Sequence, residues 1–198
     1  MSGLSQLLIN IRKLNNIKRW SNEFLHRRAS VAEHSFSVAQ IAQMLGFIEE
    51  SLGGTVNWKA LYRKALNHDV PEALTGDVIS TTKNINDHTR ETMKQVETQL
   101  VNEALLDGVF SPFREEYLSL IFDGKDSSLE GDILRYADHI DALIECLQEI
   151  RLGNNDPFAA KYVDIMKKID GSEARCVQYF VKEVLCVLIN DRGNKKDE

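Results

Sequence analysis

The sequence predicts an all-α protein built as one helical domain. The chain contains only three prolines, and no segment alternates strictly between apolar and polar residues as a half-buried strand would. Several long segments instead carry apolar residues three and four positions apart, which is the helical period. A chain of 198 residues that is 43% hydrophobic can form one core but is short for two domains. We expect a single-domain helical bundle over residues 1–190 and a polar tail over residues 191–198.

The first clear helix is predicted to begin after Ser30. Ser30 and Glu33 form the Ser-x-x-Glu pattern of a capping box, and the apolar stripe continues to the stop at Gly53–Gly54. His34 lies on that stripe, four residues before Val38. Its ring is therefore expected to point into the protein from the first turn.

A second helix is predicted from Asn57, a good N-cap residue, to about Val70. Pro71 should end it, because the residue before a proline disfavours the helical conformation. His68 and Asp69 are then expected at its C-terminal end.

The same periodicity predicts later helices at residues 86–107, 129–152, 157–169 and 172–190. The first of these should act as scaffold, with one apolar face formed by Met93, Val96, Leu100 and Ala104. In the second, Asp138 lies beside the buried stripe, one position past Ala137. Asp141 lies on the same side of that helix and is either a partner that orients a ligand or an ordinary surface charge.

Composition excludes several classes of protein. A net charge of −6 and a pI near 5.4 argue against a chain whose whole surface follows nucleic acid. Three cysteines without Cys-x-x-Cys spacing indicate buried thiols and neither a disulfide framework nor a thiolate zinc site. Without a long apolar run or a signal-peptide pattern, we expect no membrane partner and a cytoplasmic location.

His34, His68, Asp69 and Asp138 are the candidate metal ligands. Two imidazoles and two carboxylates suit one divalent ion with positions left open for water and substrate. The alternative is a chance His-Asp pair and a hydrogen-bonded histidine in the core. Ionisable groups cluster after His68, however, and Glu72 stands where a general base or acid could serve a metal-bound water.

These residues fall into motifs that resemble the HD superfamily of phosphohydrolases. Three blocks occur in the usual order, and a later Asp138 completes the His…His-Asp…Asp set: Val31-Ala32-Glu33-His34-Ser35, His68-Asp69-x-x-Glu72 and Thr75-Gly76-Asp77. The chain is most similar to the YfbR-type 5′-deoxynucleotidases over roughly residues 5–185. That further resemblance is carried by Arg19-Trp20, Lys83 and Gly153-Asn154-Asn155.

The resemblance implies hydrolysis of the 5′-phosphate of deoxynucleoside monophosphates by a homodimer. It implies that the four candidate ligands hold Co²⁺ or Mn²⁺, with Fe²⁺, Ni²⁺, Zn²⁺ or Mg²⁺ as alternatives. Glu72 would assist the attacking water. The substrate would be held by Arg19, Trp20 and Asp77.

One loop departs from the family pattern. The family commonly carries Pro-Thr-Pro-Val-Lys after the Gly-Asp pair, whereas this chain has Ile79-Ser80-Thr81-Thr82-Lys83. Because this loop is expected beside the substrate pocket, the change bears on which nucleotide is the substrate more than on the metal site. Two alternatives therefore stay open, a deoxynucleoside triphosphate triphosphohydrolase of the same superfamily and a nucleotide-binding regulatory module with little turnover.

The segment at residues 12–28 carries six basic residues against one acidic residue. It is either a phosphate-receiving surface or a solvated amphipathic helix, and we favour the second except for Arg19. A guanidinium can hold a phosphate through two parallel hydrogen bonds. Trp20 is either a wall for the deoxyribose or base, or a wall of the core.

Overall fold

The computed structural model describes residues 3–78 and 85–190. Across those ranges the chain is helical, with no strand beyond one antiparallel bridge between Lys18 and Ser30. The helices are α1 (Gly3–Ile11), α2 (Val31–Ser51), α3 (Trp58–Asn67), α4 (Glu72–Thr75), α5 (Asp87–Leu100), α6 (Phe113–Phe122), α7 (Leu129–Arg151), α8 (Phe158–Asp170), α9 (Arg175–Phe180) and α10 (Cys186–Asn190). The all-α prediction is confirmed.

Helices α2 and α7 form the centre of the main core. Helix α3 packs against both of them, α8 packs along α7, and α9 packs on α2. Fully buried side chains such as Leu45, Leu61, Ile140 and Leu143 fill the space between them. The two long central helices carry His34 and Asp138, so this packing places those residues opposite each other.

The predicted capping box at the start of α2 is present. The Ser30 hydroxyl accepts a hydrogen bond from the Glu33 backbone N–H at 3.2 Å, and the Ser30 N–H donates to the Glu33 carboxylate at 2.6 Å. The box fixes the first turn of the helix and with it His34, whose residue exposure is 1%.

The prediction that the second helix reaches Val70 is wrong by three residues. Helix α3 ends at Asn67, and His68 is its C-cap. The chain then turns, with the Val70 N–H donating to the Asn67 carbonyl at 3.2 Å, and α4 starts after Pro71. Proline has no N–H to donate, so the helix stops before it and a new short one begins after it.

The scaffold helix also differs from its prediction. Helix α5 ends at Leu100 and continues as a π-helical turn over Val101–Leu105. Helix α5 has no buried residue, and Val96 is 44% exposed. The buried side chains within the predicted span 86–107 are Val101, Leu105 and Leu106, which form a second core with Leu7 and Ile121.

Helix α6 was missed because it has a weak apolar stripe and only Ile121 among its residues is buried. The last two predicted helices begin later than expected, at Phe158 and Arg175, and α9 and α10 are joined by a π-helical turn.

Cys146 and Cys176 are buried as expected, and burial raises the pKa of both thiols to about 12. Cys186 is partly exposed, contrary to expectation.

None of the helices in the described ranges has the length and apolar character needed to cross a bilayer. The departing loop at residues 79–83 and the predicted tail at residues 191–198 lie outside the described residues. The proposed boundary between domain and tail therefore stays a prediction.

Candidate active site

The structure brings the four candidate metal ligands together. His34 comes from the first turn of α2, His68 and Asp69 follow α3, and Asp138 lies in the middle of α7. The His34 Nε2 atom is 3.3 Å from an Asp69 oxygen and 3.2 Å from an Asp138 oxygen. The His68 Nε2 atom is 3.2 Å from the same Asp69 oxygen. His34, His68 and Asp69 therefore offer ligand atoms that all lie within 4.8 Å of one another, and Asp138 joins this group through its contact with His34.

The Nε2 atoms of the two histidines are suited to bind a cation. Within the described residues, the Nε2 atoms of His34 and His68 are buried and have no hydrogen-bond partner. Their Nδ1 atoms are engaged instead, His34 with Asp141 at 2.6 Å and His68 with the Ala65 carbonyl at 2.8 Å. A carbonyl can only accept, so the Nδ1 of His68 carries the proton and its Nε2 offers a lone pair. Both rings are therefore oriented as metal-binding histidines are.

The contact between His34 and Asp141 decides between the two interpretations of Asp141. Both side chains are shielded from solvent, at 0% and 11% exposure. An exposed surface charge would make no such contact. Asp141 orients His34, and sequence spacing indicated this role without separating it from the alternative.

The electrostatics of the cluster are dominated by its carboxylates. Burial alone would lower the pKa of His34, but Asp138, Asp141 and Asp69 raise it well above its ordinary value. Burial would raise the pKa of Asp69 and Asp138, yet His68 and His34 hold that of Asp69 well below its ordinary value. Lys125 and His34 do the same for Asp138. The carboxylates are thus ionised and attract positive charge.

Lys125 is a site residue that the sequence analysis missed. Its Nζ lies 2.5 Å from an Asp138 oxygen, the one that does not face His34. Burial alone would lower the pKa of Lys125, but Asp138 and Asp69 raise it. Lys125 lies in the turn before α7, where the spacing of residues gives no sign that folding will return it to the middle of the same helix.

Glu72 lies in the cleft beside the candidate ligands. It is the first residue of α4 and is 7% exposed. The cleft has a volume of about 220 Å³ and is lined by His68, Asp69, Pro71, Glu72, Lys94, Glu97, Ile121 and Phe122. Glu72 therefore shares the cleft with two of the candidate ligands, His68 and Asp69.

Arg19, Trp20 and Asp77 meet at a corner held by a further acidic residue. Asp77 accepts a hydrogen bond from the Trp20 backbone N–H at 2.6 Å. Glu145 of α7 accepts hydrogen bonds from the Arg19 Nε at 3.0 Å and from the Trp20 indole N–H at 2.9 Å. The structure therefore groups the three predicted substrate residues, and adds Glu145 to them.

The fold also explains the Gly153-Asn154-Asn155 motif. The Asn154 side chain donates to the Phe24 carbonyl at 2.9 Å and to the Glu149 carboxylate at 2.8 Å. Glu149 in turn accepts hydrogen bonds from the backbone N–H groups of His26 and Arg27, at 3.0 and 2.9 Å. The end of α7 thus anchors the loop that follows Arg19 and Trp20.

Most of the remaining basic side chains are solvated, but the predicted amphipathic helix is wrong, because beyond a 3-10 turn over Arg12–Asn15 the segment is irregular up to Ser30. Arg12, Lys13, Lys18 and Arg27 are exposed, whereas the Arg19 side chain is only 11% exposed. Leu7 and Leu14 are buried on the inner face.

Comparisons with known proteins identify the family of this chain. Residues 6–187 match the model of the family described as 5′-deoxynucleotidase YfbR-like. A 5′-deoxynucleotidase of Citrobacter koseri is 30% identical over 178 residues, which cover 89% of this chain and 88% of the relative. A 5′-deoxynucleotidase YfbR of Escherichia coli is 29% identical over 179 residues, covering 90% and 89%.

A solved structure places this family among the HD-domain phosphohydrolases. The HD-domain phosphohydrolase lin2634 of Listeria innocua is 37% identical, has a TM-score of 0.85, and is matched over 94% of this chain and 89% of its own. The family match spans nearly the whole described region and includes every predicted site residue. This chain belongs to the YfbR-like 5′-deoxynucleotidase family of HD-domain phosphohydrolases.

Proposed function

We propose that this chain is a metal-dependent 5′-deoxynucleotidase, which hydrolyses the 5′-phosphate of deoxynucleoside monophosphates to a deoxynucleoside and phosphate. The observation that carries the proposal is the convergence of His34, His68, Asp69 and Asp138 beside one cleft. It occurs in a chain of a family described by this reaction.

The four converging residues are the proposed ligands of one divalent ion. His34 and His68 would bind through Nε2, the atoms that are buried without a hydrogen-bond partner in the described part of the chain. We propose Co²⁺ or Mn²⁺ as the ion, with Fe²⁺, Ni²⁺, Zn²⁺ and Mg²⁺ as alternatives that suit the same donor set. When bound, such an ion lowers the pKa of a coordinated water and polarises a phosphoryl oxygen.

Glu72 is the proposed general base. It lies buried in the cleft with His68 and Asp69, where its carboxylate can orient a water and accept a proton from it as the water attacks phosphorus. The attack is in line with the leaving 5′-oxygen, so the base must act from the side of the phosphate opposite the sugar.

Arg19, Trp20 and Asp77 are the proposed substrate-binding residues. The guanidinium of Arg19 stabilises the negative charge of the phosphoryl oxygens. Asp77 accepts a hydrogen bond from a sugar hydroxyl, and Trp20 forms the wall that leaves no room or partner for a 2′-hydroxyl. The hydrogen bond between Asp77 and the Trp20 backbone supports a joint role of the two residues.

The proposal includes a homodimer that acts in the cytoplasm, without nucleic-acid or membrane partners. The dimer is supported by the outer face of α2, where Phe36, Met44 and Phe47 are 66%, 49% and 54% exposed. Large apolar side chains on one helix face are common at interfaces. Light scattering coupled to gel filtration tests the dimer, and cell fractionation tests the location.

The deciding experiment measures phosphate release from deoxy- and ribonucleoside mono- and triphosphates. Protein stripped by a chelator is reloaded separately with Co²⁺, Mn²⁺, Mg²⁺ or Zn²⁺. Phosphate from deoxynucleoside monophosphates alone supports the proposal. Release of triphosphate from a deoxynucleoside triphosphate would make the chain a triphosphohydrolase, and nucleotide binding without product with any metal would make it a binding module.

Matched variants assign the roles. His68→Ala and Asp69→Ala should lose both metal and activity while keeping the helical circular-dichroism spectrum. Glu72→Gln should keep the metal and lose rate. An Asp138→Ala protein that retains full metal occupancy and activity would remove Asp138 from the ligand set.

A further inference from the structure

We propose that Glu145 is a positioning residue for this reaction, holding the guanidinium of Arg19 and the indole of Trp20 in the orientation that receives the substrate. The inference rests on the proposed function and extends it to a residue outside the predicted site.

One carboxylate joins the two side chains. The same Glu145 oxygen accepts hydrogen bonds from the Arg19 Nε at 3.0 Å and from the Trp20 indole N–H at 2.9 Å, and its other oxygen lies 3.3 Å from the Arg19 Nε. The side chains of Arg19 and Glu145 are 11% and 14% exposed. A charge-assisted pair shielded from water holds its geometry better than an exposed pair does.

The contact with Glu145 leaves the Nη1 and Nη2 donors of Arg19 available to bind a phosphate. A guanidinium has five N–H donors in a fixed plane, and Glu145 engages the donor on Nε. Among the described residues, Glu145 alone accepts a hydrogen bond from this guanidinium. The Nη1 and Nη2 donors form the edge that binds two phosphate oxygens in parallel, and the plane in which they lie is set by Glu145.

The backbone of Trp20 is strained. Among the described residues, Trp20 alone combines a side chain with a positive φ, at 54°. A non-glycine residue in this left-handed region is strained and persists only where its surroundings fix it. Here Asp77 fixes the backbone N–H and Glu145 fixes the indole N–H. The ring also packs edge-on against Phe158 with centroids 5.8 Å apart.

Glu145 is also tied to the metal-binding side of the site. Its carboxylate, that of Asp141 and a ring nitrogen of His34 offer atoms that all lie within 4.8 Å of one another. Glu145 and Asp141 belong to the same face of α7, one turn apart. A single rigid helix therefore sets where His34 is held and where Arg19 is held.

The test compares wild type with Glu145→Ala and Glu145→Gln, with Glu130→Gln as the control. Glu130 is also on α7, but it contacts the Asn57 backbone N–H at an exposed position. We expect Glu145→Ala to lower kcat/KM for a deoxynucleoside monophosphate about 10- to 100-fold, the usual effect of a misplaced binding group. Inhibition by inorganic phosphate should weaken about tenfold, because Arg19 is no longer held in the orientation that binds phosphate. Glu145→Gln keeps one acceptor oxygen, so its kcat/KM and phosphate inhibition should lie between those of wild type and Glu145→Ala. Glu130→Gln should match wild type in both.

A second readout is independent of turnover. The chain has two tryptophans, so in a Trp58→Phe background the emission reports Trp20 alone. Glu145→Ala should shift that emission to the red as the indole loses its partner and meets water. Unchanged emission would overturn the proposal, whether or not the protein is active.

The outcomes separate this inference from the proposed function. A wild-type protein that releases no phosphate from any deoxynucleotide would defeat the proposed function, and Glu145 would then be judged on emission and on phosphate binding. If Glu145→Ala melts at a lower temperature but keeps wild-type kcat/KM and phosphate inhibition while folded, the residue only stabilises the fold and the proposal is wrong. If Glu145→Ala does not fold, Glu145→Gln decides by the same measurements.

Discussion

Replacing Asp141 tests how the candidate metal centre is built. Asp141 contacts the Nδ1 of His34 at 2.6 Å, and the His34 side chain is fully buried. Asp141→Ala would leave that nitrogen buried without its partner. Asp141→Asn would keep an acceptor oxygen of nearly the same shape but remove the negative charge.

The size of the effect follows from this contact. A buried hydrogen bond to a charged group contributes about 1.5–3 kcal/mol. Removing the partner that orients a metal-binding histidine typically lowers metal affinity about 10- to 100-fold, which corresponds to about 1.4–2.7 kcal/mol. Both estimates agree, so we expect Asp141→Ala to weaken metal binding about 10- to 100-fold and Asp141→Asn to weaken it less.

The assay is competition for Co²⁺ or Mn²⁺ between the protein and a chelator of known affinity, at neutral pH. Asp132→Asn is the matched control, because Asp132 is an exposed carboxylate on the same helix, paired with Arg135. Wild-type affinity in Asp141→Ala would refute the reasoning. It would mean that packing alone sets the ring orientation of His34.

Three further changes test other parts of the structure. Lys125→Met removes the charge-assisted bond to Asp138 and should lower kcat/KM about tenfold, measured by phosphate release; a rate equal to wild type would contradict this. Burial alone would raise the pKa of Glu149, but the Asn154 side chain and two backbone N–H groups lower it from its ordinary 4.5. Its stabilisation is therefore complete above pH 4.5 and is lost as the pH falls through the folded pKa, so urea unfolding should show Glu149→Gln less stable than wild type at pH 7, by a margin that shrinks in acid. Gly46→Ala would place a methyl carbon 2.7 Å from the Trp58 ring and should destabilise the fold by about 1–3 kcal/mol in the same urea assay; a variant as stable as wild type would show that the ring moves freely.

The parts of the fold that sequence predicts well are those determined locally. The start of α2 is fixed by Ser30 and Glu33 within one turn, and the Asn57 side chain likewise caps α3 by accepting the Ala60 N–H at 3.1 Å. Such contacts involve residues three apart, so the pattern of residue types contains them. The apolar stripes of α2 and α7 are long enough to be unambiguous.

The parts that sequence misses depend on the tertiary structure. Leu100 and Ala104 continue the apolar face of Val96, but the π-helical turn at Val101–Leu105 adds an extra residue to the turn and rotates the buried face. The second core then takes Val101 and Leu105 instead. No local rule in the sequence signals that rotation.

The site likewise contains residues that sequence could predict and residues that only the tertiary structure shows. His34 and Asp138 could be predicted because each lies on or beside a buried stripe of a long helix. Lys125 could not, because charged residues in turns are usually exposed. Glu145 did carry a signal: with Asp138 and Asp141 it makes a line of carboxylates on the buried side of α7. Its meaning depends on Arg19 and Trp20, which are more than 120 residues away in the sequence and 3.0 and 2.9 Å away in space.

This line of carboxylates explains how an irregular loop can hold substrate-binding residues accurately. Asp138, Asp141, Glu145 and Glu149 recur every three or four residues on α7 and contact, in order, Lys125, His34, the Arg19 and Trp20 corner, and the loop that follows it. A helix rises about 1.5 Å per residue, so Asp138 and Glu145 are separated by about 10 Å along a rigid axis. The distance from the proposed metal ligand to the proposed phosphate-binding arginine is therefore determined by α7. Arg19 and Trp20 belong to the loop, but their positions are set by Glu145 on α7.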